Sequence, residues 1–175
     1  MDDDCVLQRA NHEGDHVKIR PIEVHDIEAV VELMHECHAE SSFSNIPFVR
    51  ELVVNVVRDH AESRNSHHEI FVAERTDGLI VGFMKCFMND YWYNYQCSAM
   101  HEIWHVSKEH RGSTAAFKLF RAFGIWGVEN KAIVLDSSVL IPDQASVDVY
   151  DQVMSKLGFV KAGNFYRKDV PGVRK

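Results

Sequence analysis

The chain has 175 residues, 46% of them hydrophobic and 10% aromatic, and a formal net charge of −7. That length suits one domain with a substantial core. The acidic balance argues against a nucleic-acid partner, which calls for a basic face. No apolar run reaches the ~20 residues that span a bilayer, so no membrane partner is expected. The acidic start Met1-Asp2-Asp3-Asp4 lacks the apolar stretch of a secretory leader. The cysteines (Cys5, Cys37, Cys86, Cys97) form no C-x-x-C pair and read as reduced, ordinary buried thiols of a cytoplasmic protein.

In chain order, residues 1–16 are polar and aperiodic and read as a tail, and residues 17–171 as a single domain. Val17 to Ile22 alternates as a first strand, with Pro21 marking an edge strand or a strand end. A helix opens at His25-Asp26 and runs to Glu40, with Ile27, Val30, Val31, Leu33 and Met34 at helical spacing. Ser41 to Pro47 has turn chemistry. Phe48 to Arg64 reads as a second helix with Leu52, Val53, Val56 and Val57 facing inward. Strands follow at Glu69–Glu74 and Leu79–Phe87 around the hairpin signal Thr76-Asp77-Gly78, with Gly82 as a bulge or close approach. The aromatic stretch Tyr91–Tyr95 precedes a strand over Ala99–Val106.

Ser113 is a suitable N-cap for a helix to Asn130, with Phe117, Phe120, Phe123 and Gly124 toward the core. Ala132–Leu135 is a short apolar strand of the kind found in a sheet centre. Asp136–Asp143 is a loop, and Gln144–Lys156 a last helix stopped at Gly158. Phe159–Lys161 and Asn164–Asp169 close the chain as a hairpin. The predicted order is β-α-α-β-β-β-α-β-α-β-β, an α/β (α+β) domain on a largely antiparallel sheet.

One segment carries most of the functional information. From Glu102 the chain reads E-I-W-H-V-S-K-E-H-R-G-S-T-A-A-F-K-L-F. A strand here feeds a glycine-containing turn and a helix N-terminus, where unpaired N–H groups and the helix dipole of about +0.5 charge attract anions. Arg111 adds a planar cation suited to phosphate oxygens, and Gly112 allows close backbone approach. The pattern points to a phosphate-bearing cofactor.

The element order and this turn resemble the GNAT acetyltransferase superfamily over about Val17 to Val170. The signature R-x-x-G-x-G/A falls on Arg111-Gly112-Ser113-Thr114-Ala115-Ala116, with Thr114 in place of the middle glycine. Leu157-Gly158-Phe159 and Gly163-Asn164-Phe165-Tyr166 also fit, and the sequence looks nearest to GNAT domains encoded by bacteriophages and prophages.

The resemblance implies acetyl-CoA as co-substrate, without a metal. Its diphosphate would lie over the amides from Gly112 to Ala116, and its pantetheine arm along Trp104, His105 and Val106. The implied activity is N-acetyl transfer to an amine, with a backbone N–H near Val106 receiving the developing oxyanion. Glu102 would be the base, or else a solvated strand-end carboxylate. The family's acid is a tyrosine three residues before L-G-F, which here is Met154. Tyr150, one turn earlier, is the stand-in acid or an aromatic core anchor. The aromatic stretch Tyr91–Tyr95 would border the acceptor pocket or form a lid or dimer contact. The alternative is a phage-type structural or host-interaction protein on the same fold, and the partner expected besides acetyl-CoA and an amine is a second copy or a phage or host protein.

His101-Glu102-Ile103-Trp104-His105 is also a literal H-E-x-x-H, the zinc-protease signature. That reading needs a helix where the anion loop needs a strand, and β-prone neighbours favour the strand. On a strand, simple alternation still puts His101 and His105 on one face. The remaining histidines, among them His35, His38, His60, His67 and His68, read as solvated surface groups.

Overall fold

The structure, a computed structural model, describes residues 16–63, 67–138 and 144–163. The elements run β1 (Val17–Pro21), α1 (Ile27–Glu40), α2 (Arg50–Glu62), β2 (His68–Arg75), β3 (Ile80–Asp90), β4 (Cys97–Val106), α3 (Ala115–Glu129), β5 (Val134–Asp136) and α4 (Gln144–Lys156). This is the predicted order as far as the last helix. The strands form one five-stranded sheet in sequence order, antiparallel from β1 to β4 and parallel between β4 and β5. Helices α1 and α2 cover one face around Val30, Val31, Val57, Val72 and Phe83. Helices α3 and α4 cover the other around Met84, Leu119, Phe123 and Met154. The fold is therefore a three-layer α/β domain with a core on each side of the sheet.

Several local expectations shift. A 3-10 turn over Val24–Asp26 precedes α1, closed by a capping box in which the Glu23 N–H donates to Asp26 Oδ2 at 2.8 Å. The inner face of α2 is Val57 and Ala61, with Val53 and Val54 partly buried, while Leu52 and Val56 turn outward. Val53, Val54, Val56 and Val57 spread over roughly half of this helix's circumference, wider than the stripe that is buried, so composition alone does not pick it. In α3 the buried set is Ala115, Leu119, Phe120, Phe123, Trp126 and Gly127, and Phe117 is exposed. Strand β5 starts later than expected and is the last strand of the sheet among the described residues, with Val134 exposed rather than central. Residues 159–161 carry no strand, and the second half of the expected closing hairpin, like the tail to residue 15, lies outside the described residues.

Strands β3 and β4 approach so closely at Gly82 that a Cβ there would sit 2.8 Å from the His105 carbonyl oxygen. Only glycine leaves that carbonyl in place, so Gly82 sets the level at which β4 can carry a site. The Gly82→Ala protein is expected to lose about 1–3 kcal/mol of stability, the usual cost of overpacking, read as a lower urea midpoint at unchanged slope.

Candidate active site

The site begins where two strands part. Parallel pairing of β4 with β5 covers Ser98↔Val134, Ala99↔Leu135 and Met100↔Asp136 and then stops. Strand β4 continues to Val106 with no strand on that edge among the described residues. On its other edge it stays paired to β3, but Cys86 meets His101 and Lys85 meets Ile103. Glu102 is the extra residue of a β-bulge.

The bulge reverses the alternation of β4. Before it, His101 faces α3, with ring centroids 5.5 Å from Phe120 and 6.0 Å from Phe123. After it, Trp104 faces the same helix, 5.2 Å from Phe120. Ile103 and His105 turn to the opposite face, where His105 Nε2 lies 3.2 Å from the Glu36 carboxylate of α1. The two histidines of H-E-x-x-H thus lie on a strand and on opposite faces. They share neither a helix face nor a strand face, which corrects the alternation argument and removes the geometry a zinc protease needs. Among the described residues no group of three or more His, Cys, Asp or Glu side chains is arranged to hold a metal.

The backbone of β4 beyond Met100 has a defined polarity. Ser107 N–H donates to the Val81 carbonyl at 2.9 Å. Antiparallel alternation then turns the backbone groups of Val106 and Trp104 away from β3, toward the open edge. The Val106 carbonyl accepts from Arg111 Nε at 3.1 Å, and the Cys37 thiol lies 3.8 Å from the Trp104 carbonyl. The N–H groups of Trp104 and Val106 face the opening, and the indole N–H of Trp104 is buried without a hydrogen-bond partner. Unmatched donors at a strand edge fit an amide-bearing ligand that adds to it.

The edge leads into the anion loop. A 3-10 turn at Lys108–His110 is followed by Gly112 at φ +88, with open space where a Cβ would stand. The left-handed conformation explains this glycine. Helix α3 begins at Ala115 with Thr114 as N-cap, one residue later than the expected cap. Ser113 contributes differently, its Oγ accepting the Ala115 N–H at 3.3 Å. Lys118 N–H donates to the Thr114 carbonyl at 3.0 Å, so the N–H groups of Ala116 and Phe117 precede the helical ladder. Arg111 reaches back to the Glu40 carboxylate as well as to Val106. The Ser113 N–H is already committed to the His110 carbonyl at 3.3 Å, and Glu40 is the counter-charge that Arg111 holds.

The two catalytic candidates differ in setting. Glu102 projects from the bulge with its side chain 56% exposed and ion-paired to Lys85. Tyr150, on α4, is half-buried against the α3 core, and its hydroxyl lies 2.6 Å from Ser137 Oγ. Ser137 Oγ in turn lies 2.5 Å from His101 Nε2. Burial raises the Tyr150 phenol pKa, partly offset by the Ser137 hydrogen bond. Burial lowers the His101 imidazole to about 4. Met154 is buried in the core and offers no proton. Ser137, Glu36, Glu40 and Lys85 were not singled out from the sequence, because a serine after a short strand or a glutamate in a charged helix carries no motif. On the α1–α2 side an open cleft of about 490 Å³ is lined by His35, His38, Ile46 and Phe48, with the His35 and Phe48 rings 4.8 Å apart. The Tyr91–Tyr95 stretch forms the exposed tip of the β3–β4 hairpin, with Trp92 94% exposed.

No protein-family model and no curated protein matches this chain. Solved structures do. AAC(6')-Iy in complex with the bisubstrate analogue CoA-S-monomethyl-acetylneamine superposes with a TM-score of 0.67 at 21% identity, covering 89% of this chain and 99% of that one. The fold is that of the GNAT acetyltransferases. A ribosomal-protein-alanine N-acetyltransferase from Brucella melitensis biovar Abortus 2308 matches at TM-score 0.63 and 16% identity, covering 88% and 97% of the two chains. A transcriptional regulator from Bacillus halodurans C-125 matches at 0.69 and 18% identity, covering 89% and 100%. At these identities the likeness establishes the GNAT fold, while the chemistry rests on this chain's own residues. No described helix is long and apolar enough to cross a membrane.

The buried imidazole makes a testable contribution. An unfolded histidine titrates near 6.5 and folded His101 near 4, so the unfolded chain binds the extra proton between those values. The contribution of His101 is therefore fully present above pH 6.5 and is lost as the pH drops toward 4, by up to about 3 kcal/mol. Urea midpoints of the wild type should fall across that window more steeply than those of His101→Gln.

Proposed function

We propose that this protein is an acetyl-CoA-dependent N-acetyltransferase acting on a primary amine. The observation that carries the proposal is the run of unpaired β4 edge that leads directly into the Ala116 and Phe117 amides ahead of the helical ladder of α3. Strand-like pairing to Trp104 and Val106 and anion binding at Gly112–Ala116 together match one extended ligand, an amide arm ending in a diphosphate. Free thiols at Cys37, Cys86 and Cys97 support a reducing, cytoplasmic setting.

The chemistry follows from the residues. Acetyl-CoA supplies an activated acyl thioester. Glu102, exposed at the bulge, takes the amine proton directly or through one water as the C–N bond forms. Val106, next to the loop, pairs with the arm, so the Trp104 N–H, further back along the open edge and already fixed by the sheet, donates to the carbonyl oxygen as charge develops there. As the C–S bond breaks, Tyr150 donates its phenolic proton to sulfur, leaving Glu102 protonated and Tyr150 ionised until solvent exchanges the proton. The cleft at His35, His38 and Phe48, on the α1–α2 face, is our candidate for the acceptor side.

A second reading has its own observation. Trp92, Tyr93 and Tyr95 are exposed together on one hairpin tip, as an interaction protein on this fold would present them. Acetyl-CoA separates the two. At 100 times its dissociation constant it should stabilise an enzyme by about 2.7 kcal/mol, seen as a raised melting temperature. Arg111→Ala should weaken that shift. Glu40→Gln, which frees Arg111, should strengthen it. No shift with the unsubstituted protein would favour the interaction reading. With an accepted amine, Glu102→Gln should lower thiol release about 10²–10⁴-fold, the usual range for a lost base, at unchanged acetyl-CoA affinity.

A further inference from the structure

The last backbone pair between β4 and β5 is Met100↔Asp136. The next register step would set His101 against Ser137, and there the ladder is replaced by a side-chain hydrogen bond, Nε2 to Oγ at 2.5 Å. The bond sits at the apex of the opening and continues to Tyr150 Oη at 2.6 Å. His101 is 3% exposed. Its Nδ1 has no hydrogen-bond partner.

A neutral imidazole has one N–H and one lone pair to place. If Nε2 accepted from Ser137, the N–H would fall on Nδ1 and be stranded among Phe120 and Phe123. A buried N–H without a partner is rarer than an acceptor without one, and either costs its desolvation. The N–H therefore belongs on Nε2, donating to Ser137 Oγ. Ser137 has one hydrogen left, and Tyr150 is its other partner. The phenol accepts it, and its own hydrogen points elsewhere.

We propose that His101 and Ser137 are positioning residues that run this hydrogen-bond chain in one direction, from imidazole to serine to phenol, so that Tyr150 presents its hydrogen to the leaving sulfur. The proposal rests on the acetyl-transfer reading for its catalytic half. When Tyr150 gives up its proton, the Ser137 hydroxyl already points at the phenolate oxygen and holds the charge. A tyrosine outside the family's usual position is thereby made a directed donor, while buried Met154 is not called upon.

Two measurements test it. Long-range 1H–15N correlation spectra of the full chain, with His101→Gln as the assignment control, should show His101 neutral at pH 7 with the proton on Nε2. A proton on Nδ1, or an imidazolium, would overturn the directed chain whatever the protein catalyses. Kinetics test the catalytic half. Ser137→Ala should lower kcat about 5–10-fold, the worth of one hydrogen bond, with little change in KM for acetyl-CoA. Ser137→Thr, which keeps the hydroxyl, should lose less. On a Tyr150→Phe background, Ser137→Ala should cost nothing further. An equal loss on both backgrounds would make Ser137 merely structural and overturn the proposal. Absence of turnover in the unsubstituted protein would overturn the catalytic half together with the acetyl-transfer reading, and the imidazole spectrum would still decide the chain.

Discussion

Strands β4 and β5 stay paired for only three residue pairs, and the groups on which the proposed function rests are arranged around their parting. Upstream, the sheet supplies rigidity. Downstream, it supplies backbone donors that have no strand to satisfy them. The bulge at Glu102 falls within two residues of that parting. It directs the carboxylate toward solvent, keeps His101 and Trp104 against α3, and sends His105 to α1. Without the extra residue, the same sequence would place His101, Ile103 and His105 on one face, with no such division of labour.

The charge distribution follows from the same geometry. The chain is acidic overall, and α1 brings two of its carboxylates to the end of β4. Glu36 lies beside buried His105 and accepts the Lys108 N–H at 3.3 Å, while Glu40 pairs with Arg111. Burial pulls the His105 pKa down, and Glu36 opposes the shift. Helix α1 thus supplies the counter-charge for a loop rich in donors. Under the proposed function, an anion arriving at that loop would compete with Glu40 for Arg111.

Much of this was legible in the sequence because the signals are local. The 3.6-residue spacing of Ile27, Val30, Val31 and Met34 marked α1, the Thr76-Asp77-Gly78 turn marked the β2–β3 hairpin, and Arg111-Gly112 before an amphipathic run marked the loop. What was not legible depends on pairing. A bulge leaves no trace in a segment whose residues all suit a strand, so plain alternation sets the histidines of H-E-x-x-H on one face. The buried stripe of α2 could not be chosen among Leu52, Val53, Val54, Val56 and Val57 without the sheet beneath it. Ser137 became meaningful only when the register carried it opposite His101.

The central claim is that the Trp104 and Val106 N–H groups, with the amides from Gly112 to Ala116, receive one acyl-CoA molecule. Amide 1H–15N spectra recorded through a titration with acetyl-CoA test it most directly. The account predicts the largest shifts at those residues, as one saturable event, with β1 and β2 unmoved. Saturation that leaves the β4 edge and the loop unchanged while shifting resonances elsewhere would contradict it.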